Sequence, residues 1–368
     1  MSQTATSDLA SVSDMDMVID SDAHILESLE QILPYMEDEV SKKFISETSN
    51  PQAMIYSVAL TGPFPQSYYG TGQNPYEFEG DLEAKKLSEQ DDFDINYGIL
   101  GPTLNLALPT VNNDRFAAAI AGAYNRFVLN KFVDETDRVV PTMIVPGQVP
   151  ERAAKQIDRW GAEFEAVHMT PSGLRPPCGY EKYDPIYEAA ADQDLPIIMH
   201  AGATNYTFPI QFAYSQTHAQ SMITNFAASL QWHLTSLIYN GAVERHSDID
   251  FVFQEAGIGW IPYTRYRLDD YYLAEGEYLP WVDKPPREYL DDQFYFSTQP
   301  LGHTADRPQS IADFIEMAGP ENIMFSTDLP HSDFDTPEEL FDRIQGRLSD
   351  DEVRNVMGGN AARVFGLG

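Results

Sequence analysis

The chain has 368 residues, with 23 Lys plus Arg against 57 Asp plus Glu, a formal net charge of −34. That balance excludes electrostatic binding to nucleic acid or to an anionic membrane surface, because both need clustered cations. Hydrophobic residues at 43% and aromatic residues at 12% are enough for a globular core, and no apolar run is long enough to span a bilayer.

Residues 1–14 read as a disordered polar tail. They lack the basic and apolar segments of a secretory signal, so a cytoplasmic location is expected. From there, short apolar runs bounded by turn residues predict eight strands, at Met17–Ile19, Tyr97–Leu100, Val139–Val145, Glu165–Met169, Pro196–Met199, Asp250–Phe253, Phe294–Phe296 and Ile323–Phe325. Helical spacing places helices between them, at Asn113–Val133, Pro150–Trp160, Tyr183–Asp192, Thr224–Tyr239, Pro262–Tyr272, Pro308–Met317 and Pro337–Leu348. Regular alternation at this length suits one (β/α)8 TIM barrel over residues 15–368. A doubly wound open sheet is the alternative, but no glycine-rich phosphate loop follows the first strand.

Residues 50–92 break the alternation. Rich in Gly, Pro, Tyr, Asn and Gln, they read as a lid-like insertion after strand one, and their aromatics favour an ordered lid over a disordered insert. The lone Cys178 excludes a disulfide framework and a cysteine zinc site. Carboxylates spread along the whole chain, with eight lysines among its 23 cations, suggest a high-salt cytoplasm. Stability should then rise toward molar salt, and a flat response would remove that reading.

Chemistry gathers where the strands end. Asp22 and His24, two apart on strand one, share a face and can both hold a divalent cation. The strand Pro196–Met199 runs into His200, and the last strand runs into Asp328 and then His331. In a barrel these ends meet at one opening, which makes a mononuclear metal site with open positions.

These segments resemble the second amidohydrolase family of metal-dependent hydrolases, which includes aminocarboxymuconate-semialdehyde decarboxylase and the resorcylate-type decarboxylases. The matching motifs are Asp20, Asp22 and His24; Leu195–Gly202; Phe253–Trp260; Ser326–His331, with Thr327 inserted before Asp328; and Gly359–Leu367. The resemblance implies Asp22, His24, His200 and Asp328 as ligands of one divalent metal, zinc most often and manganese in some members. It also implies a small-molecule substrate and a homodimer.

The chain departs from the decarboxylases at Glu255, where they usually carry a catalytic His. A carboxylate there can act as a general acid or base if burial raises its pKa. Asp328, Glu255, His168 and His331 are therefore the candidate catalytic residues. The expected reaction is hydrolysis by a metal-activated water, with non-oxidative decarboxylation of a small aromatic or unsaturated acid as the alternative. A metal-stabilised binding protein without turnover is a third reading. His303 is a weaker loop candidate, His218 and His233 read as structural, and His246 lies at the far end of the barrel. Arg175 reads as a surface ion pair or, alternatively, as a partner for a substrate carboxylate.

Overall fold

The computed structural model describes residues 9–47, 81–132, 137–202, 218–302, 307–331 and 334–368. The segment 48–80, most of the expected lid, lies outside them, as do most of the polar tail and His303.

Strands β1 (Ile19–Ile25), β2 (Tyr97–Pro102) and β3 (Val139–Pro141) pair in parallel. So do β4 (Met143–Ile144), β5 (Val167–Met169), β6 (Ile197–His200), β7 (Phe251–Gln254), β8 (Phe294–Ser297) and β9 (Ile323–Met324), each with the next. The expected strand Val139–Val145 is thus two pieces of one barrel strand. Pro141 offers no N–H, and at the break the Thr142 hydroxyl donates to Leu100 O at 2.6 Å. Backbone bonds from Ser21 N to Phe325 O (3.0 Å) and from Asp328 N to Asp22 O (3.0 Å) join the last strand to the first. Eight barrel strands close a (β/α)8 barrel.

Helices lie between the strands, close to where the spacing puts them: Asp114–Phe132, Pro150–Trp160, Asp184–Ala191, His218–Tyr239, Ile261–Glu275, Ser310–Ala318 and Pro337–Ile344. Among the described residues, none is long and apolar enough to cross a membrane. Several further helices among the described residues were not expected, including Leu82–Asp92 and Pro286–Gln293. Leu82–Asp92 ends the segment read as a lid, capped by Asp81, whose carboxylate accepts Glu83 N and Ala84 N. Pro286–Gln293 starts on the proline favoured in a first turn.

One cluster explains where the site forms. Ile19, Ile99, Val140, Ala166, Ile198, Val252, Tyr295 and Met324, one from each barrel strand or the residue just before it, pack together with Ala361 of the closing helix Asn360–Val364 and with Phe365 just after it. Each isoleucine, valine, methionine or phenylalanine among them removes apolar surface worth roughly 1.5–3 kcal/mol. Strand side chains repeat every second residue, so the next inward layer is Gly101, Thr142, His168, His200, Gln254, Ser297 and Ser326. An apolar floor therefore carries a polar mouth.

Candidate metal centre

The first strand runs further than its apolar residues suggest. β1 includes Asp20, Ser21, Asp22 and His24, all buried, with an irregular register against β2 between Asp20 and Ala23. His200 ends β6, while Glu255 and Asp328 follow β7 and β9 with φ of +58° and +67°. That conformation costs a non-glycine residue roughly 1–2 kcal/mol, a strain often found at functional sites.

The side chains converge. Asp22 Oδ1 lies 3.2 Å from His200 Nε2 and 3.4 Å from His24 Nε2, and Asp328 Oδ1 lies 3.2 Å from His24 Nε2. The two Nε2 atoms are 3.2 Å apart. His24 Nδ1 donates to Pro102 O at 2.7 Å, and His200 Nδ1 donates to Ala201 O. A carbonyl only accepts, so both rings keep a proton on Nδ1 and aim Nε2 at the carboxylates, where a neutral ring offers a lone pair. Both Asp22 oxygens are buried without a hydrogen-bond donor.

Four acceptors facing one point repel each other unless a cation stands between them. Burial opposes charge here, yet Asp22 and Asp328 outweigh it and hold His24 well above its ordinary pKa. Burial likewise works against ionised Asp22 and Asp328, but the neighbouring imidazoles keep both carboxyls below the usual range. The cluster attracts positive charge, and its two imidazoles and two carboxylates fit one divalent ion such as zinc or manganese.

Other residues surround this core. His331 Nδ1 lies 2.6 Å from Asp328 Oδ1, and its Nε2 meets Thr103 Oγ1 at 3.2 Å. Buried Glu27 holds that loop by accepting Thr103 N at 3.0 Å and Asn105 N at 2.9 Å. Gln299 Nε2 donates to Asp328 Oδ2 at 3.2 Å. His168 stacks on His200 with ring centroids 5.1 Å apart. The Thr142 hydroxyl hydrogen is committed to Leu100 O, so His168 Nδ1–H donates to that oxygen at 3.4 Å and leaves Nε2 an unpartnered acceptor. Burial, and then charge on His200 and His24, pushes the His168 pKa well below its usual value. Residue 101 must be glycine here, because a Cβ would stand 2.8 Å from His168 Cε1. Glu255 Oε2 is 3.6 Å from His200 Nδ1, and its N–H donates to Ser297 Oγ at 3.2 Å.

A family model described as amidohydrolase matches residues 19–367. The chain belongs to the amidohydrolase family. Over 306 residues it is 23% identical to the gamma-resorcylate decarboxylase of Polaromonas sp. (strain JS666), covering 78% of this chain and 88% of that one. It superposes on the 5-carboxyvanillate decarboxylase of Sphingomonas paucimobilis with a TM-score of 0.72 at 19% identity, covering 96% and 99% of the two chains. The dihydroxybenzoic acid decarboxylase of Polaromonas sp. JS666, solved with manganese and 2-nitroresorcinol, gives 0.68 at 17% identity over 96% and 97%.

The structure brings Asp22, His24, His200, Asp328, His331, His168 and Glu255 together. Arg175 is exposed, its carbonyl accepting Lys182 Nζ at 3.0 Å. His246 pairs with Asp184 at 3.0 Å among the outer helices. Cys178 is buried, and burial raises its thiol pKa, the opposite of what a nucleophile needs. Glu27, Thr103 and Gln299 were not singled out from sequence for these contacts, since no short motif marks them.

His233 is a structural histidine with a measurable signature. Its Nδ1 accepts Cys178 N–H at 3.2 Å, and burial lowers its pKa to about 3. An unfolded histidine titrates near 6.5, so the unfolded chain binds the extra proton below that pH. Its contribution is complete above about pH 6.5 and is lost as the pH falls toward 3. Between pH 7.5 and 5 the wild type should therefore lose more melting temperature than His233→Gln. Parallel curves would contradict this.

Proposed function

We propose that the chain is a metal-dependent, non-oxidative decarboxylase of a small aromatic carboxylic acid. The observation that carries the reading is the buried convergence of Asp22, His24, His200 and Asp328, with His331 bonded to the last of them. The decarboxylase names of its relatives support carboxyl loss over hydrolysis, and the manganese in one of them supports that metal beside zinc.

When bound, a divalent ion supplies Lewis acidity that draws negative charge off a substrate carboxylate or phenolate oxygen. Asp328 Oδ1 and His331 Nδ1 share a proton across 2.6 Å, and this pair delivers it to the ring carbon bearing the carboxylate. A C–H bond forms there as the C–C bond breaks, and CO2 leaves with the electron pair returned to the ring. Neutral His168 accepts a hydrogen bond from a substrate hydroxyl through Nε2. Glu255, with Oε2 3.6 Å from His200 Nδ1, stands at the same mouth as a second carboxyl group for moving a proton.

Glu255 favours a second reading, hydrolysis by an activated water, because it stands where the decarboxylases usually have imidazole. One panel separates the two. Zinc- and manganese-loaded protein is offered hydroxybenzoates, alkoxybenzoates, lactones and amides, at low and molar salt. Release of CO2 from an aromatic acid is expected, and turnover confined to lactones or amides would sink the decarboxylase reading.

A further inference from the structure

We infer that Asp20, Thr327 and Lys86 form a clamp that sets Asp328 for the metal, with the Thr327 hydroxyl as its pivot. This rests on the metal site proposed above.

Asp328 is a carboxylate ligand on a left-handed residue, so something must hold its backbone there. Thr327 does so from both sides. Its N–H donates to Asp20 Oδ1 at 2.8 Å, and its hydroxyl donates to Asp20 Oδ2 at 2.5 Å. The same hydroxyl oxygen accepts Leu329 N–H at 2.9 Å, tying together the residues on either side of Asp328. Asp20 also accepts Asp22 N–H at 3.1 Å, so the clamp reaches the first ligand of β1.

Lys86 closes the other side. It is buried on the helix Leu82–Asp92, where its Nζ donates to Leu329 O at 2.9 Å and pairs with Glu89 Oε2 at 2.7 Å. Leu329 O also accepts His24 N–H at 2.8 Å, so one carbonyl joins the lysine to the backbone of a second ligand. The polar atoms of Asp20 and Thr327 point into this network and are not offered as ligands. A metal site needs its carboxylate placed within about 0.5 Å, which a loop free to relax cannot supply.

Thr327→Val keeps the side-chain shape and removes the hydroxyl, leaving Leu329 N–H and an Asp20 oxygen buried without partners. Thr327→Ser restores the hydroxyl, and Lys86→Met keeps the stem without the charge. The test measures Mn2+ dissociation constants by chelator competition, together with melting temperatures with and without Mn2+. Thr327→Val is expected to weaken Mn2+ binding about 10- to 100-fold and shrink the metal-induced rise in melting temperature, with Thr327→Ser within about threefold of wild type. Lys86→Met should move in the same direction by a smaller factor, and it carries the test alone if Thr327→Val fails to fold.

Equal affinity in Thr327→Val and wild type overturns the clamp. So does equal loss in the Val and Ser variants, or a lower metal-free melting temperature with affinity unchanged. A wild type that binds no Mn2+ defeats the metal reading itself, a result distinct from all of these.

Discussion

Asp328→Asn is expected to cut turnover by about 1000-fold or more while the circular dichroism spectrum and melting temperature stay close to wild type. The side chain touches two groups at once, His24 Nε2 at 3.2 Å and His331 Nδ1 at 2.6 Å. An amide of the same shape supplies neither the charge that faces His24 nor a proton that can be given to carbon. Asparagine tolerates the left-handed backbone at φ +67°, so the fold should persist. The measurement is kcat on a substrate found in the panel, read beside the melt. A variant within tenfold of wild type would remove Asp328 from the chemistry.

The second large effect separates two ways of holding the ion. Donor atoms of Asp22, His24 and His200 lie within 4.8 Å of one another, as do those of His24, Asp328 and His331. The two groups share His24. If the metal sits among Asp22, His24, His200 and Asp328, His200→Ala should lower its affinity by more than about 100-fold, because a missing ligand costs more than a missing neighbour. His331→Ala should keep nearly full metal content and lose turnover instead. Metal analysis after dialysis against micromolar zinc or manganese reads both. Retention by His200→Ala with loss from His331→Ala would put the ion in the other group.

Much of this site was legible in the sequence for a simple physical reason. His200 and Asp328 end apolar runs that must lie in a barrel wall, and a polar residue there has only the mouth to face. β1 was legible only in part. The period of apolar residues stops at Ile19, but the strand continues through Asp20, Ser21, Asp22 and His24 to Ile25. Those polar residues are buried against the last strand or at the candidate metal centre, and propensity does not register that.

The helix Leu82–Asp92 was hidden inside a segment whose composition reads as loop, although its charged residues include the buried Lys86. The contact from Lys86 to Leu329 O spans 243 residues, and Asp20 meets Thr327 across 307. No local pattern encodes such pairs, because they exist only once the barrel has closed. The same holds for Gln299 and Thr103, ordinary loop residues until the fold sets them against Asp328 and His331. Glu255 was visible as a departure, but its nearness to His200 Nδ1 was not.

A crystal grown with manganese, with data collected at the metal's absorption edge, tests the central claim most directly. One anomalous peak per chain is expected, about 2.0–2.2 Å from an oxygen or nitrogen of Asp22, His24, His200 and Asp328 and with room left for a further ligand. No peak at that point, or a strong peak held by other residues, would contradict the metal centre and the chemistry built on it.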